Sequence, residues 1–244
     1  MTMPTETSAL HERLQSHGFA FVTAESMREL LDAPQALADW PAFAASWDDL
    51  APDSYLAARG HQRRRRHAVF SAEAGGEIHR APHQPHYQSL QHNPLQGDMQ
   101  RWFMPIRPTI ANGASLRRIL AFASTLFGAM EPATPHWQVE AHQFRIEARA
   151  GAPGEPTPEG VHRDGVDYVL VLLIDRVNIE SGTTTIHAHD GALLGSFTLA
   201  HTLDAALVDD ARVCHGVTAV TAFDPGRPAH RDVLVVTFKA ASRG

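Results

Sequence analysis

A single cysteine, Cys214, is present among 244 residues. This excludes an intramolecular disulfide and any cysteine-rich zinc site, and it makes a reducing, cytoplasmic setting the expectation. Long apolar runs are absent too. The longest candidate, 166–174, contains Asp167 and falls well short of the ~18 residues a membrane helix needs. The first 17 residues lack a basic stretch followed by an apolar one, so no secretory signal is expected. An excess of positive charge is also missing. With 21 Lys and Arg against 27 Asp and Glu, the net charge of −6 argues against a general nucleic-acid binder. The one basic run, Arg63 to Arg66 between His61 and His67, reads as a solvated or ion-paired strand, with anion binding as the alternative.

What is there in quantity is apolar material, 43% of the residues, enough for a sizeable core in one large domain. Histidine is abundant as well. Eight of the 16 fall before residue 100 at irregular spacing in polar, proline-containing sequence, which reads as loop and surface histidine, with metal binding as the alternative. The chain is expected to form one domain over 1–244, with a helical and irregular part over 1–135 and a β core over 136–244. An amphipathic helix is expected over 5–16, a strand over 19–22, and a second helix over 24–31 with Thr23 as its cap. Prolines at 41, 52, 82, 85, 94, 105 and 108 make 41–112 irregular. Leu116, Ile119, Leu120, Ala123, Leu126, Phe127 and Met130 recur at helical spacing and give a firm helix over 115–130. Strands are expected over 138–148, 168–174, 183–187, 193–199, 217–223 and 232–239, with a hairpin turn at His189-Asp190-Gly191. Short strands in this number after a partly helical half point to a mainly β fold with α-helices, a double-stranded β-helix (jelly roll) with the N-terminal helices packed on one sheet.

The sharpest local pattern is Gly160-Val161-His162-Arg163-Asp164-Gly165. In extended backbone, residues two apart project to the same side, so His162 and Asp164 present an imidazole and a carboxylate together. A third ligand is available at His215, 51 residues after Asp164 and at the start of an expected strand. Two histidines and one carboxylate are the facial set that holds Fe(II) with positions left open for a bidentate 2-oxo acid and O2. Sixteen residues further, Arg231 opens the last strand, where its two-pronged donor geometry suits the distal carboxylate of 2-oxoglutarate. His162 and Asp164 alone would be a weak pattern; the order His-x-Asp, His, Arg on successive strands carries the reading. Gln143 and Arg145 share one face of the 138–148 strand. Turned inward they contact 2-oxoglutarate or a substrate carboxylate, and turned outward they are solvated. Gln88 and Asn93 either line the substrate entrance or hold a loop by hydrogen bonds. Cys214 reads as a small buried filler, and Asp209-Asp210 as the end of a helix or turn before the ligand strand.

Four segments, 156–165, 176–182, 209–218 and 231–238, resemble the bacterial 2-oxoglutarate/iron dioxygenases that include L-isoleucine dioxygenase and related amino-acid hydroxylases. The likeness extends more weakly to Tyr87-Gln88-Ser89 with Asn93 and to 143–146. It implies a jelly roll, ferrous iron, 2-oxoglutarate and O2, and a small-molecule substrate, a free L-amino acid or similar polar compound. One departure is Glu180-Ser181-Gly182, where the relatives tend to carry Gly-Gly; it touches a turn and so substrate details before iron binding. The resemblance allows a homodimer and implies neither nucleic acid nor membrane as a partner. The competing readings are a metal site used for a reaction without a 2-oxo acid, which Arg231 tells against, and a zinc hydrolase, for which no general-base glutamate stands at helical spacing from the histidines. A third is a non-catalytic, stress- or biofilm-related binding protein on the same fold.

Overall fold

The computed structural model describes residues 5–33, 35–57, 63–73, 76–93, 95 and 97–241. His61, which flanks the arginine run, lies outside them. The helices are α1 (Thr5–His17), α2 (Ala24–Leu30), α3 (Trp40–Ala45), α4 (Ser54–Ala57), α5 (Pro108–Ala111) and α6 (Ala114–Met130). The strands are β1 (Phe19–Val22), β2 (Ala51–Pro52), β3 (Arg63–Glu73), β4 (Ile78–Arg80), β5 (His136–Ala148), β6 (Tyr168–Val177), β7 (Ile179–Ser181), β8 (Thr183–His187), β9 (Leu193–Thr198), β10 (Ala205–Asp209), β11 (Cys214–Val217), β12 (Val220–Ala222) and β13 (Ala229–Ala240). No helix among the described residues is long and apolar enough to cross a membrane.

Eight strands form the main antiparallel sheet in the order β1-β10-β6-β13-β5-β3-β2, with β4 paired to β3. Two small sheets, β11-β8-β9 and β12-β7, complete the double-stranded β-helix. The helices cover one face of the main sheet. The apolar stripe of α6 (Leu116, Ile119, Leu120, Ala123, Leu126 and Phe127) is fully buried there with Leu10 and Leu14 of α1. Strand alternation supplies the other half of that core: Trp137, Val139 and Ala141 from β5, and Leu234, Val236 and Phe238 from β13. Two caps set the helix starts. Thr23 accepts from the Ser26 amide at the head of α2, and Asp39 Oδ1 accepts from both the amide and the hydroxyl of Ser115 at the head of α6.

The expected strand over 217–223 is instead two, β11 and β12, in different small sheets, and two further departures bear on the site. The region 41–112 contains the 11-residue strand β3, in which the arginine run itself lies. Charge does not break it, because Arg63 pairs with Asp53, Arg64 with Glu147 and Arg66 with Asp49. The ion-paired strand is therefore the reading of this run that the geometry supports. The second departure is β10, a short fully buried strand between β1 and β6, where the end of a helix or turn is expected.

Candidate iron and 2-oxoglutarate site

The face of the main sheet away from the helices lines a cavity of about 740 Å3. From β5 it receives Gln138, Glu140, His142, Phe144 and Ile146, and from β13 Arg231, Val233, Val235, Thr237 and Lys239. His162, Asp164, His215 and Val217 close it from the opposite side, and the segment between Gln84 and Arg101 forms a further wall.

His162 and His215 are locked together by backbone. Each amide donates to the other's carbonyl at 2.9 Å, which brings the two rings to 4.7 Å between centroids. His162 Nε2 stands 3.6 Å from Asp164 Oδ1, and His215 Nε2 stands 3.5 Å from Asp164 Oδ2. These separations exceed good hydrogen bonds but suit three donor atoms around one ion, and the trio is grouped closely enough to hold one. The turn that carries Asp164 is fixed from below by Asp210, whose carboxylate accepts from the amides of Asp164, Gly165 and Val166 at 2.8–3.2 Å. Gly165 has φ +78°, and a Cβ there would meet the His92 ring at 2.6 Å, so the turn requires glycine. Gln88 Nε2 donates to Asp164 Oδ1 at 3.2 Å and so fixes the carboxylate's orientation.

Acidic groups dominate the electrostatics here. Burial pushes the Asp164 carboxyl up, but the nearby His162, with the charge of His215, outweighs it and holds it well below the usual carboxylate range. Burial opposes a charged His162, yet the nearby Asp164 carboxylate, with the charge of Glu159, raises it to about 9. His215 is pushed down to about 4 by burial, against the pull of Asp164. Asp210 is pushed up to about 6, by burial first and then by the Asp164 charge.

Arg231 is 2% exposed, and its Nε and Nη2 have no hydrogen-bond partner among the described residues. Burial and then the neighbouring Arg176 lower it to about 10, still charged at neutral pH. An unpaired buried guanidinium on a cavity wall is costly unless an anion joins it. Gly182 permits this placement: it adopts φ +74°, and a Cβ on it would press on Val220 at 2.8 Å and reach the Arg231 side chain at 3.7 Å.

Gln143 and Arg145 do share a face, but it is the opposite one, and the inward alternative is corrected. The β5–β13 register pairs Arg145 with Asp232 and Gln143 with Leu234, both on the helix side. Arg145 grips Asp232 with two hydrogen bonds at 2.7 and 2.8 Å and also reaches Asp48; Gln143 donates to Ser46 Oγ at 2.7 Å. Gln88 and Asn93 meet the loop reading, since Asn93 Nδ2 donates to Gln88 Oε1, while Gln88 also touches Asp164. Cys214 is half-buried rather than buried.

A second cluster went unread in the sequence. His67, His86 and His142 converge on Glu140, with His67 Nε2 at 2.9 Å, His86 Nδ1 at 2.6 Å and His142 Nε2 at 3.4 Å from one carboxylate oxygen. This corrects the surface and loop reading for His67 and His86.

Comparison with known proteins agrees with this geometry. The sequence model of the family described as 2OG-Fe dioxygenase matches residues 44–237. The chain is 24% identical over 234 residues to the 3(1)-hydroxy-L-isoleucine 4-dioxygenase of Pantoea ananatis, covering 93% of each chain. Among solved structures, a bsmA homolog from Methylobium petroleophilum PM1 is 34% identical, with a TM-score of 0.87 over 99% of this chain and 96% of that one. IDO from Bacillus thuringiensis shares the fold at 17% identity, with a TM-score of 0.78 and coverage of 99% and 98%.

Proposed function

Because the chain belongs to the 2OG-Fe dioxygenase family, whose enzymes use Fe(II), 2-oxoglutarate and O2, we propose that it hydroxylates a free amino acid or a similarly small polar molecule. In this reading His162, Asp164 and His215 hold the iron, and Arg231 anchors the distal carboxylate of 2-oxoglutarate. Iron, 2-oxoglutarate and O2 together supply the oxidising power, with succinate and CO2 as co-products. The protein's part is placement. Asp164 and the two imidazoles fix the ion on one wall, Gln88 and Asp210 hold Asp164 in orientation, and Arg231 sets the depth and direction of the 2-oxo acid. Val169, Val171, Val233 and Val235 keep the intervening wall dry.

The observation that carries the reading is the orphaned Arg231 guanidinium, for which a bidentate carboxylate is the fitting partner. The amino-acid class is supported by the Pantoea relative, which by name acts on a hydroxylated L-isoleucine. The test is an anaerobic titration with Fe(II) and 2-oxoglutarate, followed by a screen of the twenty L-amino acids for succinate release. A visible charge-transfer band in the wild type that disappears in Asp164→Ala is expected. Its survival in Asp164→Ala would overturn the ligand assignment, and succinate release stimulated by no amino acid would overturn the substrate class.

A further inference from the structure

Resting on the amino-acid reading of the same cavity, we propose that Glu140 is the specificity-determining residue that receives the ammonium group of the substrate. Glu140 faces the cavity from β5, and its row in the sheet is set by pairing with Thr237 of β13. Arg231 pairs with Ile146, six residues along the same strand. At about 3.3 Å per residue the two ends of the cavity floor are roughly 20 Å apart. A 2-oxoglutarate held at Arg231 therefore leaves the Glu140 end for the substrate.

Glu140 is built to remain an anion. Burial alone would raise its carboxyl, but hydrogen bonds from His142, His67 and His86 hold it well below the usual carboxylate range. Burial keeps those three imidazoles neutral, lowering each of them despite the pull of Glu140. Neutral imidazoles thus fix the carboxylate without cancelling its charge, and all three face Oε2, His67 and His86 at hydrogen-bond distance and His142 at 3.4 Å. Oε1 meets only the Gln138 amide, at 3.4 Å, in the hydrogen bonds of the described residues. The complementary charge stands next door: His86 and Arg101 exchange both backbone hydrogen bonds at 2.9 Å, and Arg101 also lines the cavity. The Arg101 guanidinium donates through Nη2 to Gln88 Oε1 at 2.7 Å, so the two adjoining wall segments carry opposite charges, matching the two poles of a zwitterion.

The same side chains invite comparison with a second metal site, and two features disfavour it. Arg65 Nη2 lies 2.7 Å from His142 Nδ1, and a guanidinium only donates, so the proton of that ring sits on Nε2, facing Glu140, where it blocks metal binding. Arg65 and Arg101 both act on the Glu140 cluster through their charges, which repel a divalent cation.

The test uses Glu140→Gln, which keeps the shape and removes the charge, with Glu140→Asp as the conservative variant. Paired probes, each L-amino acid and its des-amino carboxylic acid, are bound to the anaerobic Fe(II)/2-oxoglutarate protein and followed by NMR. The charge-transfer band reports whether the metal end is intact. Wild type is expected to prefer the amino member of a pair. Glu140→Gln is expected to bind it at least about 30-fold more weakly and to lose the preference, with part of it returning in Glu140→Asp. Equal binding of both members by the wild type, undiminished binding by Glu140→Gln, or no amino-acid binding at all would overturn the proposal. So would a second metal equivalent in the wild type that is lost in Glu140→Gln. Amino acids that bind but release no succinate would instead sink the hydroxylase reading and leave this one standing.

Discussion

Two groups of histidine and carboxylate share one cavity, and their differences show what makes a metal site. At the His162, Asp164 and His215 end, the donor atoms stand 3.5–3.6 Å apart and the surrounding charges are acidic, with Glu159 3.4 Å from His162 and Asp210 4.0 Å from His215. At the Glu140 end, two of the contacts have closed to 2.6 and 2.9 Å, and the neighbours are Arg65 and Arg101. The first arrangement has a carboxylate shared between separated nitrogens and extra negative charge to receive a cation. The second has its nitrogens already spent on one oxygen. Residue types are nearly the same at both ends, so spacing and the sign of the next charge decide the chemistry.

The sharpest way to test that contrast is Arg231, whose Nε and Nη2 have no hydrogen-bond partner among the described residues. Arg231→Met should weaken 2-oxoglutarate binding on the order of 100-fold, read as KM in succinate release. The same change should raise the stability of the metal-free protein by about 1–3 kcal/mol in urea denaturation, because an uncompensated buried cation is removed. Loss of stability together with loss of binding would mean that Arg231 is a structural residue. Next in size is Asp210, whose contacts with the proposed iron ligands among the described residues run through the Asp164 amide and the His215 ring. Asp210→Asn should lower Fe(II) affinity by about 10–100-fold with the fold retained. Unchanged affinity would show that the ligand turn needs no support beyond its glycine.

How much of this could be read in the chain follows from how far apart the partners lie. His162 and Asp164 are close neighbours on an extended turn, and His215 and Arg231 follow in order, so a local pattern plus strand order was enough to bring these four side chains to one cavity. Glu140 and His142 sit at the same i, i+2 spacing, yet their partners His67 and His86 come from β3 and from the wall segment. No short-range periodicity links those. The β5 register was closer to legible than it looked. Trp137, Val139 and Ala141 are its apolar positions, and Gln143 and Arg145 continue that parity, which places them under the helices rather than over the cavity. The polar residues at 138, 140 and 142 belong to the functional face. Strand β10 was missed because Ala205 to Val208 is a short apolar run that periodicity cannot distinguish from a turn of buried helix.

The Glu140 cluster also makes a pH signature, with three depressed histidines where the His162, Asp164 and His215 end has one, His215. His67, His86 and His142 are held below their ordinary value of 6.5, chiefly by burial. A histidine with a depressed folded-state pKa binds fewer protons folded than unfolded below about pH 6.5, so its contribution is present above that pH and is lost as pH falls. Stability should therefore decline on acidification from pH 7.5 to 5.5. In His67→Phe, which keeps a ring stacked on His142, the decline should shrink by up to about 1 kcal/mol. A parallel pair of pH profiles would place the proton uptake elsewhere.

The smallest expected effect tests the sheet parity itself. Gln143→Leu and Arg145→Gln alter side chains separated from the cavity by the thickness of the sheet, so KM for 2-oxoglutarate should stay within about twofold of wild type. Arg145→Gln should instead cost stability, about 1 kcal/mol, since it breaks a two-pronged pair with the buried Asp232 and a contact with the exposed Asp48. Finding the reverse, a large KM change with stability intact, would mean that β5 presents its other face to the cavity. Glu140 and His142 would then be turned away from it together, because alternation along a strand ties the two faces to one register.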